Sequence, residues 1–307
     1  MPTIPEDVLP REKNVIVQEY RDKWSYPQQR FYRESYEFLF GKDHPYVRDG
    51  LGQPEYIKKI TAQKLRAIRA KYIVPANLFI GIAGKVDPKE VKVGFEQLLT
   101  KQLKGSRPKM VDKPVSSKKH YLFHKEDVEH AVIYVDWLIP GYDDLSPKEE
   151  ETFRLAKYIL GGSPRSLLYY ELRQKMGIAY SGGASVRTFP KKGFFEAYTS
   201  TDHKNITNAI TTIEKVVTEF IKNGVSASRF YQSKKFADMQ LLLSYDSIGG
   251  IANSITYDLF YFDRIIPLKE HRKILSSISQ KDMLKFIKKY LSEKPYISIM
   301  AKKKPDL

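Results

Sequence analysis

At 307 residues, 42% of them apolar, the chain is long enough to build about two globular domains with cores of their own. It has no cysteine, which excludes disulfides, thiolate metal sites and cysteine nucleophiles. The balance of 52 Lys and Arg against 36 Asp and Glu gives a net charge of +16. The lysines are dispersed as pairs in turns and on polar helix sides. They describe a solvated surface better than a nucleic-acid groove, and no nucleic-acid module pattern accompanies them. A nucleic-acid binder remains the remote alternative, and it would lose affinity steeply with salt. No run approaches the ~18 apolar residues of a membrane span, and the opening Met-Pro-Thr-Ile-Pro-Glu-Asp lacks the core of a signal peptide. A soluble, cytoplasmic protein without membrane or nucleic-acid partners is expected.

In chain order, residues 11–24 read as a helix. Glu12 and Glu19 lie seven apart on it, two turns, and so share one face with Val15 and Ile16 between them. If that face is buried, its carboxylates need a partner such as a metal ion; the other reading is the charged edge of a solvated helix face. Residues 32–40 form an aromatic helix. His44 precedes Pro45 and is expected as a loop residue rather than a ligand. Residues 55–72 carry a helical apolar pattern, 78–83 a buried strand and 91–99 another helix. Residues 106–117 are polar, proline-bearing and aperiodic, as a linker should be.

Beyond it, 132–138 alternate as a strand, and Ser146-Pro147 open a helix reaching Leu160. Gly161-Gly162 stop that helix. Ser163 then reads as an N-cap with Pro164 at the first helical position. The new helix buries Leu167, Leu168 and Leu172 and ends at Gly177, which tolerates a left-handed cap. Strands follow at 181–189 and 194–200, with helices at 205–222, 228–243 and 248–260. Tyr169, Tyr170, Tyr257 and Tyr261 are assigned to the core.

One internal repeat sets the domain plan. Residues 60–72, Ile-Thr-Ala-Gln-Lys-Leu-Arg-Ala-Ile-Arg-Ala-Lys-Tyr, are similar to 278–290, Ile-Ser-Gln-Lys-Asp-Met-Leu-Lys-Phe-Ile-Lys-Lys-Tyr. The offset is 290 − 72 = 218, and without a gap it lays 78–83 over 296–301. A single recurrence at this spacing means two related domains. The fold expected is α+β, two homologous domains of mixed sheet with helices packed on one face. Residues 1–105 are the C-terminal half of the first domain, 106–117 the linker and 118–307 a complete second domain. About 110–120 residues of the first domain are then expected to precede this chain.

The stretch from Leu160 to Tyr180 contains Gly-Gly, then Glu171-Leu-Arg173-Gln-Lys175-Met-Gly177-Ile-Ala-Tyr180. It resembles the C-terminal domain of the pitrilysin/insulinase-type zinc peptidases, the inverzincins, whose pattern there is Gly-Gly…Leu…Glu-Leu-Arg-x-Lys-x-Gly-x-x-Tyr. The resemblance implies that Arg173 and Tyr180 contact a peptide substrate across a two-domain chamber. It also matches Arg11-Glu12 through Gln18-Glu19 to the family's glutamate helix, which makes Glu19 a zinc ligand and Glu12 a supporting carboxylate. The departure is the absence of His-x-x-Glu-His, the motif that supplies two zinc ligands and the general base. Of six histidines, only His130 stands near such a pattern, in Glu126-Asp-Val-Glu129-His130, where glutamate replaces the first histidine. The zinc site is therefore expected to be incomplete. The expected function is a portion of a zinc metalloendopeptidase, inactive until a further chain or segment, in a homo- or hetero-oligomer, supplies the motif. The alternative is a non-catalytic subunit of a heteromeric peptidase.

Overall fold

The computed structural model describes residues 4–99, 105–107, 113 and 119–306. The N-terminal part is helical: α1 (Leu9–Ser25), α2 (Pro27–Phe40), α3 (Pro54–Lys59), α4 (Ala62–Tyr72) and α5 (Pro88–Leu99). Then come β1 (Tyr121–Lys125), β2 (Ala131–Pro140), α6 (Pro147–Leu160), a π-helical turn (Tyr169–Lys175), β3 (Ala179–Thr188) and β4 (Lys192–Thr201). The chain closes with α7 (Ile206–Asn223), α8 (Ala227–Ser244), α9 (Ile248–Phe262), α10 (Leu268–Ser277), α11 (Gln280–Leu291) and β5 (Tyr296–Ala301).

The period-two pattern of β2 explains the layers. Ala131, Ile133, Val135, Trp137 and Ile139 all point to one buried face, as alternation on a pleated strand requires. The five-stranded sheet runs β1-β5-β2-β4-β3, with β1 parallel to β5 and every other pairing antiparallel. Against the core face lie Phe153, Ala156 and Leu160 of α6, Ile210, Ile213 and Phe220 of α7, and Met283 and Ile287 of α11. Each of the larger side chains contributes about 1.5–3 kcal/mol by leaving water, Ala156 less.

This is the α+β mixed sheet that the sequence implies, with one addition. The opposite face is covered by α2: Phe31 stacks on Tyr134 at 4.9 Å, Tyr36 meets Phe194 edge-on at 5.4 Å, and Phe38 meets Tyr296 at 5.7 Å. The N-terminal helices are thus anchored to the sheet of the second half.

The 218-residue offset reaches further than the sequence match. Adding 218 to the bounds of α1 gives 227–243 against Ala227–Ser244 for α8, and adding it to α4 gives 280–290 against Gln280–Leu291 for α11. The caps correspond too, since Thr61 accepts from the Lys64 N–H and Ser279 from the Asp282 N–H.

Four expectations need correction. Residues 55–72 are two helices, because the Thr61 cap starts α4 afresh. Residues 78–83 are extended but belong to no sheet, and Leu78, Ile80 and Ile82 are exposed, because no described strand lies beside them. Ser163 and Pro164 form a turn instead of a helix start; the Ser163 hydroxyl donates back to the Tyr158 carbonyl and the helix begins at Leu167. Tyr170 and Tyr257 are exposed rather than core, and Tyr257 stacks on Tyr261 at 4.1 Å along α9. Most of the expected 106–117 linker lies outside the described residues.

Candidate functional site

Glycine chemistry shapes the joint that presents Arg173 and Tyr180. A Cβ at Gly161 would sit 2.1 Å from the Ala184 nitrogen, so only glycine lets the end of α6 touch β3. The helix after the turn runs in π geometry, with the Met176 N–H donating to the Glu171 carbonyl and the Ile178 N–H to that of Leu172. Single π turns are frequent at functional sites. Gly177 has φ +64°, the left-handed turn that swings the chain into β3.

Arg173 stands on the last part of that helix and Tyr180 on the opening of β3, and the structure brings them into direct contact. The Arg173 guanidinium donates to the Tyr180 carbonyl at 2.6 Å and lies over the Tyr169 ring. Both side chains are exposed, Tyr180 by 52%. The Tyr180 hydroxyl donates to Asp202 Oδ1 at 3.1 Å, and its ring packs on His130 with centroids 4.0 Å apart. The accepting Asp202 carboxylate raises the phenol pKa above its ordinary value.

Strand register causes this assembly. Ala131 of β2 and Ala179 of β3 both pair with Thr201 of β4, so the residues beside them, His130, Tyr180 and Asp202, converge at one end of the sheet. His130 Nδ1 lies 3.6 Å from Asp202 Oδ1. Sequence reasoning missed Asp202 and dismissed His130. The available signal was positional: each flanks a strand end, but only the register shows that the ends are neighbours.

The glutamate pair on α1 is placed differently. Glu12 and Glu19 are both exposed, and with Val8 and Val15 they form a solvent-open stripe. Val17, not Val15 or Ile16, is the buried residue of the helix. The Glu19 carboxylate has no hydrogen-bond or ion-pair partner among the described residues, and no group of three potential metal ligands occurs among them. The near-motif disperses as well: Glu126 pairs with Arg30 at 2.7 Å and with His124, which also bonds Glu34. Arg30 holds the Glu126 carboxyl below its ordinary pKa. His44 is buried, accepting from the Tyr46 N–H and meeting the Lys113 carbonyl, so it is a structural loop histidine. The described residues do not by themselves fit a zinc ion; Glu19 offers one carboxylate where about three protein ligands are needed.

One end of the sheet thus carries an exposed Arg–Tyr pair beside a glycine-rich helix joint. Residues 59–236, more than half of the chain, match the family described as the peptidase M16 inactive domain, and the chain belongs to that family. Among its relatives is an "uncharacterized zinc protease" of Rickettsia felis, 23% identical over 289 residues that make up 94% of this chain and 68% of that protein. A "non-peptidase homolog YmxG" of Helicobacter pylori is 25% identical over 270 residues, 85% of this chain and 60% of that one. The chain spans about two thirds or less of the length of these and similar curated relatives. The fold agrees with a crystal structure of a peptidase M16 inactive domain from Pseudomonas fluorescens, at TM-score 0.85 and 20% identity, over 100% of this chain and 73% of that one. Zinc is thus a family-level cofactor, and no described helix is long and apolar enough to cross a membrane.

Proposed function

We propose that this chain is the peptide-holding portion of an M16-type zinc metalloendopeptidase, with Arg173 and Tyr180 contacting substrate backbone in a two-domain chamber. The supporting observation is the exposed Arg173–Tyr180 contact. The Tyr180 carbonyl and the Asp202 carboxylate fix the two side chains before any ligand arrives. A guanidinium has five N–H donors, so Arg173 keeps others for a peptide carbonyl. Tyr180 adds a phenol oxygen at the same edge. Preorganised donors of this kind bind a backbone in one register.

The sequence holds no His-x-x-Glu-His, so hydrolysis belongs to an assembly in which another segment or chain supplies it. In that assembly zinc would supply a polarised water at the scissile carbonyl, and Glu19 would add one carboxylate to the metal with Glu12 behind it. In this reading residues 1–105 belong to the metal-site domain and 118–307 form the substrate-positioning domain. A partner bringing strands beside 78–83 fits their exposed apolar side chains. The second reading, a non-catalytic subunit, is favoured by the Helicobacter pylori relative being named a non-peptidase homolog. It predicts that Glu19→Ala leaves the activity of the assembly intact, whereas the first predicts loss of zinc.

The test is peptide binding by the purified chain. An unstructured peptide should bind and remain uncut. Arg173→Ala should cost about 1.5–3 kcal/mol and Tyr180→Phe about 0.5–1.5 kcal/mol of binding. Chelator-sensitive cleavage by the chain alone, or unchanged affinity in Arg173→Ala, would contradict the proposal.

A further inference from the structure

On the other side of the glycine joint, a cavity of about 760 Å³ opens between the Ser163-Pro164-Arg165 turn, the π-helix and α8. Its size suits a short peptide end or a small organic ligand. Its lining has three cations, Arg165, Arg229 and Lys235, and no carboxylate. The neighbouring acids are committed elsewhere: Asp238 receives a two-pronged bond from Arg272 at 2.7 and 2.9 Å, and Glu171 pairs with Lys175 at 2.9 Å. The Nη1 nitrogen of Arg229 is buried without a hydrogen-bond partner. A guanidinium short of partners is costly beside apolar surface, and an anion meeting the part of Arg229 that lines the cavity is its natural complement.

The remaining lining specifies the rest of the ligand. Phe236, Met239 and Tyr170 present apolar surface, and Gln174 and Gln232 provide amide donors and acceptors. We propose that this cavity binds the C-terminal carboxylate of a peptide whose last residue is apolar. The carboxylate meets Arg229, the last side chain lies on Phe236 and Met239, and the glutamines bond the final peptide group. The choice of a peptide over another amphipathic acid rests on the peptide-holding reading above; the carboxylate and its apolar neighbour follow from the cavity alone. Tyr170 and Gln174 stand on the helix that carries Arg173, so a peptide leaving the cavity along that helix runs toward the Arg173–Tyr180 edge.

The experiment is fluorescence titration of the intact chain with a labelled pentapeptide ending in Phe-Leu, as the free acid and as the C-terminal amide. The free acid should bind about tenfold or more tightly, since a site built for an ionised group rejects the analogue lacking it. Arg229→Gln should abolish that preference. Met239→Glu, at an exposed position, should weaken both peptides by removing the apolar contact, and the acid more than the amide because the new carboxylate repels its own. Arg173→Ala should keep the acid–amide difference even if total affinity falls, which separates this site from the backbone contact. Equal binding of acid and amide, or an Arg229→Gln chain that is folded by circular dichroism and keeps the preference, overturns the proposal. Binding of dodecanoate without any binding of the peptide acid overturns the peptide as its source.

Discussion

The two copies of the repeat share a local structure and differ in everything that depends on neighbours. Both have a hydroxyl-capped helix followed by an extended apolar segment. In the second copy, α11 buries Met283, Ile287 and Leu291, and β5 is paired on both sides, by β1 and β2. In the first copy, α4 buries Ala62 alone, and residues 78–83 pair with no described strand. Met300 is 0% exposed while its counterpart Ile82, 218 residues earlier, is 38% exposed. Capping and periodicity are local and survive without partners; burial and the strand ladder are supplied by the rest of a sheet.

The largest effect should separate those two counterparts. Met300→Ala should destabilise the chain by about 2–5 kcal/mol, as for other core truncations, while Ile82→Ala should stay within about 0.5 kcal/mol. Urea unfolding followed by circular dichroism measures both. Equal losses would break the comparison.

This contrast also explains what could be read from the sequence. The α+β plan, the helix opened by Ser146-Pro147 and the 218-residue offset are periodic or local signals, and they were legible. Arg173 and Tyr180 were legible as neighbours because only a helix end and Gly177 lie between them. The Asp202 and His130 contacts were not, because they depend on the β2-β4-β3 register. The burial expected of 78–83 failed because a continuous apolar run records which neighbours it suits, not whether they are present. The α1 glutamates show the same limit: their spacing fixes a common face but not what covers it.

A second effect should belong to the completed sheet alone. Asp136 is 1% exposed and faces Glu196 directly across β2 and β4, on the side covered by α2. Tyr32 of α2, Tyr134 of β2 and Ser185 and Arg187 of β3 are the polar and charged groups around them. Burial raises both carboxyl pKa values, with Glu196 raising that of Asp136 further. The native state therefore holds a proton that the unfolded chain has released. Stability should be greatest below the ordinary carboxylate range and fall as pH rises from there through the raised values. Asp136→Asn should flatten that decline and raise the midpoint at neutral pH. A wild-type midpoint that climbs over that window would refute the assignment.

The smallest effect sharpens the comparison at the caps. Thr61→Ala and Ser279→Ala should each cost their own helix about 1 kcal/mol. Only Ser279→Ala should lower the global unfolding midpoint, since α11 is packed into the core and α4 is not. A shared drop in the midpoint would mean that the first copy folds with the second.

Backbone hydrogen exchange of the intact chain at residues 79–83 and 297–301 tests the contrast most directly. The β5 amides should be protected to near the global unfolding free energy, whereas those of 79–83 should exchange at close to the rate of an open peptide. Comparable protection in both segments would contradict the account, because it would require a strand partner for 78–83 that the described fold does not contain.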